Sequence, residues 1–199
     1  LGVFLAAQRR IPEAIKLMEQ AAQSEKIDKT SGDYVTINRD LGILYNAVGE
    51  KEKTAAAYEV VFNALLNPKK YKLDQRTRAS LEIDPNTSYE RLGQIFLNAK
   101  KIDLAVKAFE QAAKDARGKP GNLSYNLARV YLQTGKNDDA LAQLQKYFDA
   151  QLQSKGRSAY QLLADILKKL NKSDELLGRL EKLAGNDKRN PVLQQFLAD

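Results

Sequence analysis

The 199-residue sequence contains no cysteine and no histidine. Without cysteine, the chain can form neither a disulfide framework nor a thiolate metal site. Without histidine, it lacks the commonest general base and the commonest metal ligand. It also contains no glycine-rich phosphate loop and no dinucleotide-binding fingerprint. We therefore expect no enzyme, no catalytic residue, no metal site, no cofactor and no small-molecule substrate.

Glycine and proline are scarce, at 11 and 5 residues, and long apolar runs are missing. No stretch approaches the roughly 18 to 20 consecutive apolar residues that a membrane span needs, so we predict no span. Alanine, leucine, lysine, glutamine and glutamate are abundant instead, and these residues favour helices. Together with a 43% hydrophobic share, which is enough for a substantial core, this composition predicts an all-α fold.

A pattern of aromatic, small and aliphatic residues recurs along the chain. Its clearest copy is Tyr89-x-x-Leu92-Gly93-x-x-Phe96, followed by Ala105-x-x-x-Phe109-x-x-Ala112. The first four residues are spaced i, i+3, i+4 and i+7, which places them on one face of a helix. The small residues, Gly93 and Ala105, would let two helices approach closely. A short polar segment separates the halves, so each copy predicts a pair of packed helices.

This pattern closely resembles the tetratricopeptide repeat. Its leucine recurs at Leu1, Leu41, Leu92, Leu127, Leu163 and Leu197. The spacings are 40, 51, 35, 36 and 34 residues, and three of them lie on or near the family period of about 34. The resemblance implies a right-handed superhelical solenoid of antiparallel helix pairs, with about five repeats plus partial ends.

We predict one solenoid over residues 1–199, interrupted by two inserts. The repeats are expected at about 1–24, 35–66, 86–117, 121–152 and 157–187, with a partial repeat at 191–199, and the inserts at about 25–34 and 67–84. Within the second insert, residues 72–83 predict one short helix or a partly disordered segment. Because both ends fall inside repeats, we expect an internal fragment of a longer protein, whose exposed terminal repeats could self-associate.

Four residues mark predicted helix ends. Asp84 and Asn190 each precede a proline, a combination that predicts a capped helix start. Gly49 and Gly135 fall between the two helices of a repeat, where glycine favours a helix stop.

The resemblance implies a non-catalytic scaffold that binds a peptide or protein segment in a concave groove lined by the first helix of each repeat. The groove positions are mostly polar and of mixed charge: Arg39, Ile43, Asn46, Glu90, Gln94, Asn98, Tyr125, Arg129, Gln133, Gln161, Asp165, Lys168, Lys169 and Gln195. Arg39 and Arg129 are the best candidates for contacts to carboxylates, because a guanidinium binds a carboxylate through two hydrogen bonds.

The net charge of +7 raises an alternative function. Five cations cluster in the second insert, against the single acid Asp74: Lys69, Lys70, Lys72, Arg76 and Arg78. They predict an anion-binding patch for nucleic acid or an acidic protein, although Tyr71 alone offers a ring for base stacking, which argues against nucleic acid. A third possibility is a regulatory or assembly region of a larger multidomain protein.

Overall fold

The computed structural model describes residues 2–114, 122–151, 155–187 and 189–198, with residues 3–5 as backbone alone. Within these ranges all regular structure is helical. The helices are α1 (Gly2–Ala7), α2 (Ile11–Gln23), α3 (Gly32–Ala47), α4 (Lys51–Leu66), α5 (Gln75–Ile83), α6 (Tyr89–Asn98), α7 (Ile102–Lys114), α8 (Asn122–Gln133), α9 (Asn137–Asp149), α10 (Arg157–Lys169), α11 (Leu176–Asn186) and α12 (Pro191–Ala198). The all-α prediction is confirmed. No helix in the described ranges is both long and apolar enough to cross a membrane.

The chain divides into two compact units, Leu1–Ala108 (unit 1) and Phe109–Asp199 (unit 2). The division falls within α7. In each unit, helices that follow one another in sequence pack together, as the repeat pattern predicts. The repeat boundaries themselves stay a prediction.

In unit 1, α2 packs against α1 and α3, α3 packs against α4, and α4 also contacts α5 and α6. Large side chains at the predicted packing positions are buried here, among them Tyr58, Phe62 and Phe96. Phe62 and Phe96 meet edge to face, with 5.6 Å between their ring centroids. The turn between α3 and α4 contains Gly49 at a φ of +80°, a left-handed conformation that glycine adopts without strain.

In unit 2, α8 packs against α9, and α10 contacts α8, α9, α11 and α12. Small residues lie where α8 and α9 pack together: Ala128 of α8 and Ala140 of α9 are both fully buried. Gly135 turns the chain between these helices at a φ of +77°. Tyr147 and Tyr160 then fill the core beside them.

The second insert contains a helix, α5, so the helical alternative predicted for it is confirmed. This helix begins at Gln75, where the Asp74 carboxylate accepts a hydrogen bond from the Thr77 amide at 2.7 Å. The two inserts also touch each other: Lys72 Nζ lies 2.6 Å from Asp28 Oδ2. A contact between segments 44 residues apart in sequence shows that the inserts form one connected feature of unit 1.

Both predicted helix caps are found in the structure. Asp84 caps a short 3-10 helix, Pro85–Thr87, and α6 follows from Tyr89, after its own cap residue Ser88. The buried hydroxyl of Thr87 donates to the Leu81 carbonyl and ties this 3-10 helix to the end of α5. Asn190 caps α12 as predicted, because its Oδ1 accepts the Leu193 amide hydrogen at 3.0 Å.

Candidate functional site

The groove positions predicted in unit 1 lie on α3 and α6. On α3, the Arg39 guanidinium is engaged by its neighbour Asp40, with Nη2 to Oδ1 at 2.7 Å, while Asn46 is exposed. On α6, Gln94 Nε2 donates to Asn98 Oδ1 at 2.6 Å. A carboxylate ligand at Arg39 would therefore compete with Asp40.

Four charged side chains of unit 1 affect the pKa of one buried phenol, that of Tyr58. Tyr58 on α4 is 2% exposed, and burial raises the pKa of its phenol to about 12. Burial is the largest cause of this value, Asp84 and Asp40 also raise the pKa, and Arg91 and Arg39 lower it. Charges on α3, on α6 and on the segment before α6 thus act on this buried tyrosine.

In unit 2, Tyr125 is part of the core and not of an open face. Its side chain is 8% exposed, and its ring lies 5.6 Å from the ring of Tyr147, centroid to centroid. Two cations lie over the Tyr125 ring: Arg129 Cζ at 5.9 Å and Lys155 Nζ at 5.6 Å from its centroid. The tyrosine that was predicted as a ligand contact is therefore a core residue with two cations over its ring.

Polar side chains also form a stripe along α10. Gln161 Nε2 donates to Asp165 Oδ1 at 3.1 Å, and Arg157 and Lys168 fall on the same side of the helix, at i−4 and i+7 from Gln161. Arg157 also lies over the Phe196 ring of α12, with Cζ 4.9 Å from the centroid. We did not predict Arg157 from the sequence, although its spacing of four residues from Gln161 was a usable signal.

We call the predicted groove positions on α8 and α10, together with Arg157, the α8–α10 face, because these two helices contact each other. It comprises Arg129, Gln133, Arg157, Gln161, Asp165 and Lys168. Three of these side chains are cations and one is a carboxylate, so the face is basic. Lys155 adds a further cation beside Tyr125, and the sequence prediction missed it too because it lies outside any helix.

The basic insert is partly neutralised by acids of the same chain. Lys72 pairs with Asp28, and Arg78 Nε lies 2.8 Å from Glu82 Oε1. The hydrogen bond from Lys72 holds the pKa of the Asp28 carboxyl well below its usual range. Two of the five cations predicted to bind an anion are thus in ion pairs, and the anion-binding role of the insert stays a prediction.

In the described part of the chain, no group of three or more acidic side chains is arranged to hold a metal ion. The features that stand out there are polar and basic helix faces, which suit the binding of another chain.

Comparisons with known proteins agree with this architecture. A family model described as tetratricopeptide repeat matches residues 90–155 and 125–175. No curated protein matches the sequence. Among solved structures, the fold is similar to that of a putative kinesin light chain from Podosopora anserina with nearly identical tetratricopeptide-like repeats. The two share 20% sequence identity at a TM-score of 0.54, over 95% of this chain and 94% of that chain.

A single-substitution variant of that protein gives 18% identity and a TM-score of 0.55, over 95% of this chain and 93% of the other. At such identity the likeness shows the fold alone, while the family model adds the repeat signature over residues 90–175. Residues 90–175 therefore match the tetratricopeptide repeat, a family whose members generally serve as scaffolds for protein–protein interaction, and the fold of the chain is similar to that of tetratricopeptide-like repeat proteins.

Proposed function

We propose that this scaffold binds an acidic, extended segment of a partner protein along the α8–α10 face of unit 2. The observation that carries the proposal is the Tyr125 ring with Arg129 and Lys155 both within 6 Å of its centroid. Because that ring is packed against Tyr147, the two cations sit over a fixed support. A fixed support lowers the entropy lost when a flexible cation binds a ligand.

The remaining residues of the face fit the same ligand. Arg129 and Arg157 can each bind a carboxylate through two hydrogen bonds. The amides of Gln133 and Gln161 suit the backbone of an extended peptide, which offers donors and acceptors at regular intervals. Asp165 is the one acid in the face, and its hydrogen bond to Gln161 holds it next to that amide.

The positions on α3 and α6 have a secondary part in this proposal. Arg39 is paired with Asp40, so we expect its contribution to binding to be smaller than that of Arg129. The exposed Asn46 and the linked Gln94 and Asn98 offer amide contacts without the same concentration of positive charge.

The test is a fluorescence anisotropy titration with a labelled, acetylated octapeptide of alternating glutamate and alanine. The double variant Arg129→Gln/Arg157→Gln should bind the peptide at least about tenfold more weakly, because charge-assisted hydrogen bonds are lost. The control, Lys146→Gln/Lys172→Gln, removes the same charge from exposed positions of unit 2 outside the face. It should change affinity little beyond the effect of net charge.

Binding should also weaken as salt rises from about 0.05 to about 0.3 M, because the charges are solvent-exposed. Equal affinities of the two double variants would show that the peptide responds to net charge alone, and the assignment to the α8–α10 face would then be abandoned.

A further inference from the structure

Lys155 reaches the α8–α10 face from outside the two helices that form it. It lies just before α10, separated from the first residue of that helix by Gly156. Its ammonium nevertheless lies 5.6 Å from the centroid of the Tyr125 ring, which belongs to α8. A lysine side chain is a flexible four-carbon stem with many accessible conformations. A fixed position for this cation therefore requires that its backbone be fixed.

Tyr147 of α9 holds the Lys155 backbone. Its hydroxyl accepts a hydrogen bond from the Lys155 amide at 2.9 Å, across eight residues of sequence. The Tyr147 side chain is 1% exposed, so the acceptor is a buried atom of the core. On the other side, the Lys155 carbonyl accepts a hydrogen bond from the Ser158 amide at 3.1 Å. Both backbone polar groups of Lys155 are thus bonded, one to α9 and one to the first turn of α10.

The same tyrosine also supports the ring beneath the cation. The Tyr147 and Tyr125 rings lie 5.6 Å apart, centroid to centroid, and both belong to the core cluster of unit 2. A cation–π contact acts only within about 6 Å of the ring centroid, so it persists only where both partners are held. Tyr147 holds both, because its hydroxyl binds the Lys155 backbone and its ring packs against Tyr125.

Gly156 sets the direction of the chain between Lys155 and α10. Its φ is +49°, a left-handed conformation that residues with a Cβ rarely adopt. A Cβ at this position would meet no atom within 4 Å, so the need for glycine is conformational and not steric. On either side of this glycine, Lys155 lies over a ring of α8 and Arg157 lies over the Phe196 ring of α12.

We propose that Tyr147 and Gly156 are positioning residues for peptide binding at the α8–α10 face, because they hold the Lys155 cation where it can meet a carboxylate of the bound segment. The inference rests on the function proposed above. A side chain that is already held loses less conformational freedom on binding, which raises the affinity. An ammonium has three N–H donors, so Lys155 can bind a carboxylate while another of its donors is engaged.

The first test is NMR spectroscopy of the ¹³C-labelled chain without peptide. The Lys155 ε-methylene protons should resonate upfield of those of an unrestrained lysine, because the Tyr125 ring current shields them. Tyr147→Phe removes the hydroxyl and keeps the ring, and we expect these signals to move towards the unrestrained position. Tyr160→Phe is the matched control, since it removes another buried hydroxyl of unit 2, one that accepts from Asn190 Nδ2 at 2.9 Å. Unmoved signals in Tyr147→Phe, or equal movement in both variants, would overturn the proposal.

The second test is the anisotropy titration with the octapeptide of alternating glutamate and alanine. Tyr147→Phe and Lys155→Gln should each weaken binding about threefold, and the double variant should bind no more weakly than Lys155→Gln alone, because both changes remove one shared contribution. Tyr160→Phe should bind like the parent chain. Losses that add in the double variant would contradict the proposal, because Tyr147 would then act independently of Lys155.

Gly156→Ala is a second variant that leaves the core side chains unchanged. Alanine strains the left-handed turn, so we expect the Lys155 signals to move and the peptide to bind more weakly. Gly49→Ala in unit 1 is its control, with a φ of +80° and no atom within 4 Å of the added Cβ, and should do neither. Unmoved Lys155 signals in Gly156→Ala would refute the role of this glycine. These signals are recorded without peptide, so they separate a failure of this inference from a failure of the proposed function, which the two double variants described above decide.

Discussion

Gly42 on α3 lies directly beneath the ring of Tyr58 on α4. A Cβ at position 42 would come within 2.7 Å of Tyr58 Cε2 and within 2.9 Å of Cζ. This distance is too short for carbon atoms, and the ring has little room to move because Tyr58 is buried. The glycine of the repeat pattern is thus needed here for close helix packing, and its freedom of backbone conformation is not involved.

We predict that Gly42→Ala destabilises unit 1 by about 1–2 kcal/mol, because overpacking outweighs the gain in helix propensity. Urea unfolding followed by circular dichroism measures the change. Gly178→Ala is the matched control, since it introduces the same methyl group into a helix where nothing lies within 4 Å. It should stabilise the chain by about 0.5–1 kcal/mol, and a loss of stability there would contradict the open space beside Gly178.

Removal of Asn190 should loosen α12. Its side chain caps the helix and donates to the Tyr160 hydroxyl, so Asn190→Ala loses both contacts in a buried position and should cost about 1–3 kcal/mol. Hydrogen exchange at the Leu193 amide reports the effect directly. Asn190→Ser restores an acceptor for the cap and should recover part of the protection, whereas exposed Gln194→Ala should change nothing.

The stability of unit 1 should fall in alkaline solution. Burial raises the pKa of Tyr58 to about 12, above the value of about 10 in an unfolded chain. The tyrosine therefore stabilises the fold fully below about pH 10, and this contribution is lost as the pH rises towards about 12. Urea unfolding at a series of pH values should show a shallower decline for Tyr58→Phe than for the parent chain. Parallel curves would mean that other groups cause the decline.

The contact between the two inserts should control proteolysis. Asp28→Asn removes the partner of Lys72, and we expect trypsin to cleave after Lys72 several times faster, because local opening exposes the bond. Acid should weaken the same contact: the pKa of Asp28 is lowered, so the contribution of the ion pair to stability is full above about pH 4 and is lost as the pH falls from there towards the lowered pKa. Asp33→Asn, at the start of α3, is the control and should leave the cleavage rate unchanged.

The sequence predicted the helix pairs well because their signals are local. Leu92, Gly93 and Phe96 recur with helical spacing, and the turns at Gly49 and Gly135 need glycine for reasons visible within four residues. Such features depend on the nearest neighbours in the chain, so a pattern of residue types is enough to find them.

Features that depend on a second helix were harder to predict. Tyr125 has the spacing of a surface residue, but the ring of Tyr147 on α9 covers it. The separation of the 3-10 helix at Pro85–Thr87 from α6 was not predicted either, because Thr87 bonds to Leu81 in another helix.

The contact between the inserts has a consequence for trimming this chain. Leu73 and Thr77 of the second insert both lie within 4 Å of where a Cβ on Gly32 would be, and Lys72 reaches Asp28. Deleting residues 25–34 alone would remove the residues that the second insert contacts. Deleting residues 67–84 alone would likewise remove the residues that the first insert contacts. A shortened version closer to the regular repeat length must therefore lose both segments together.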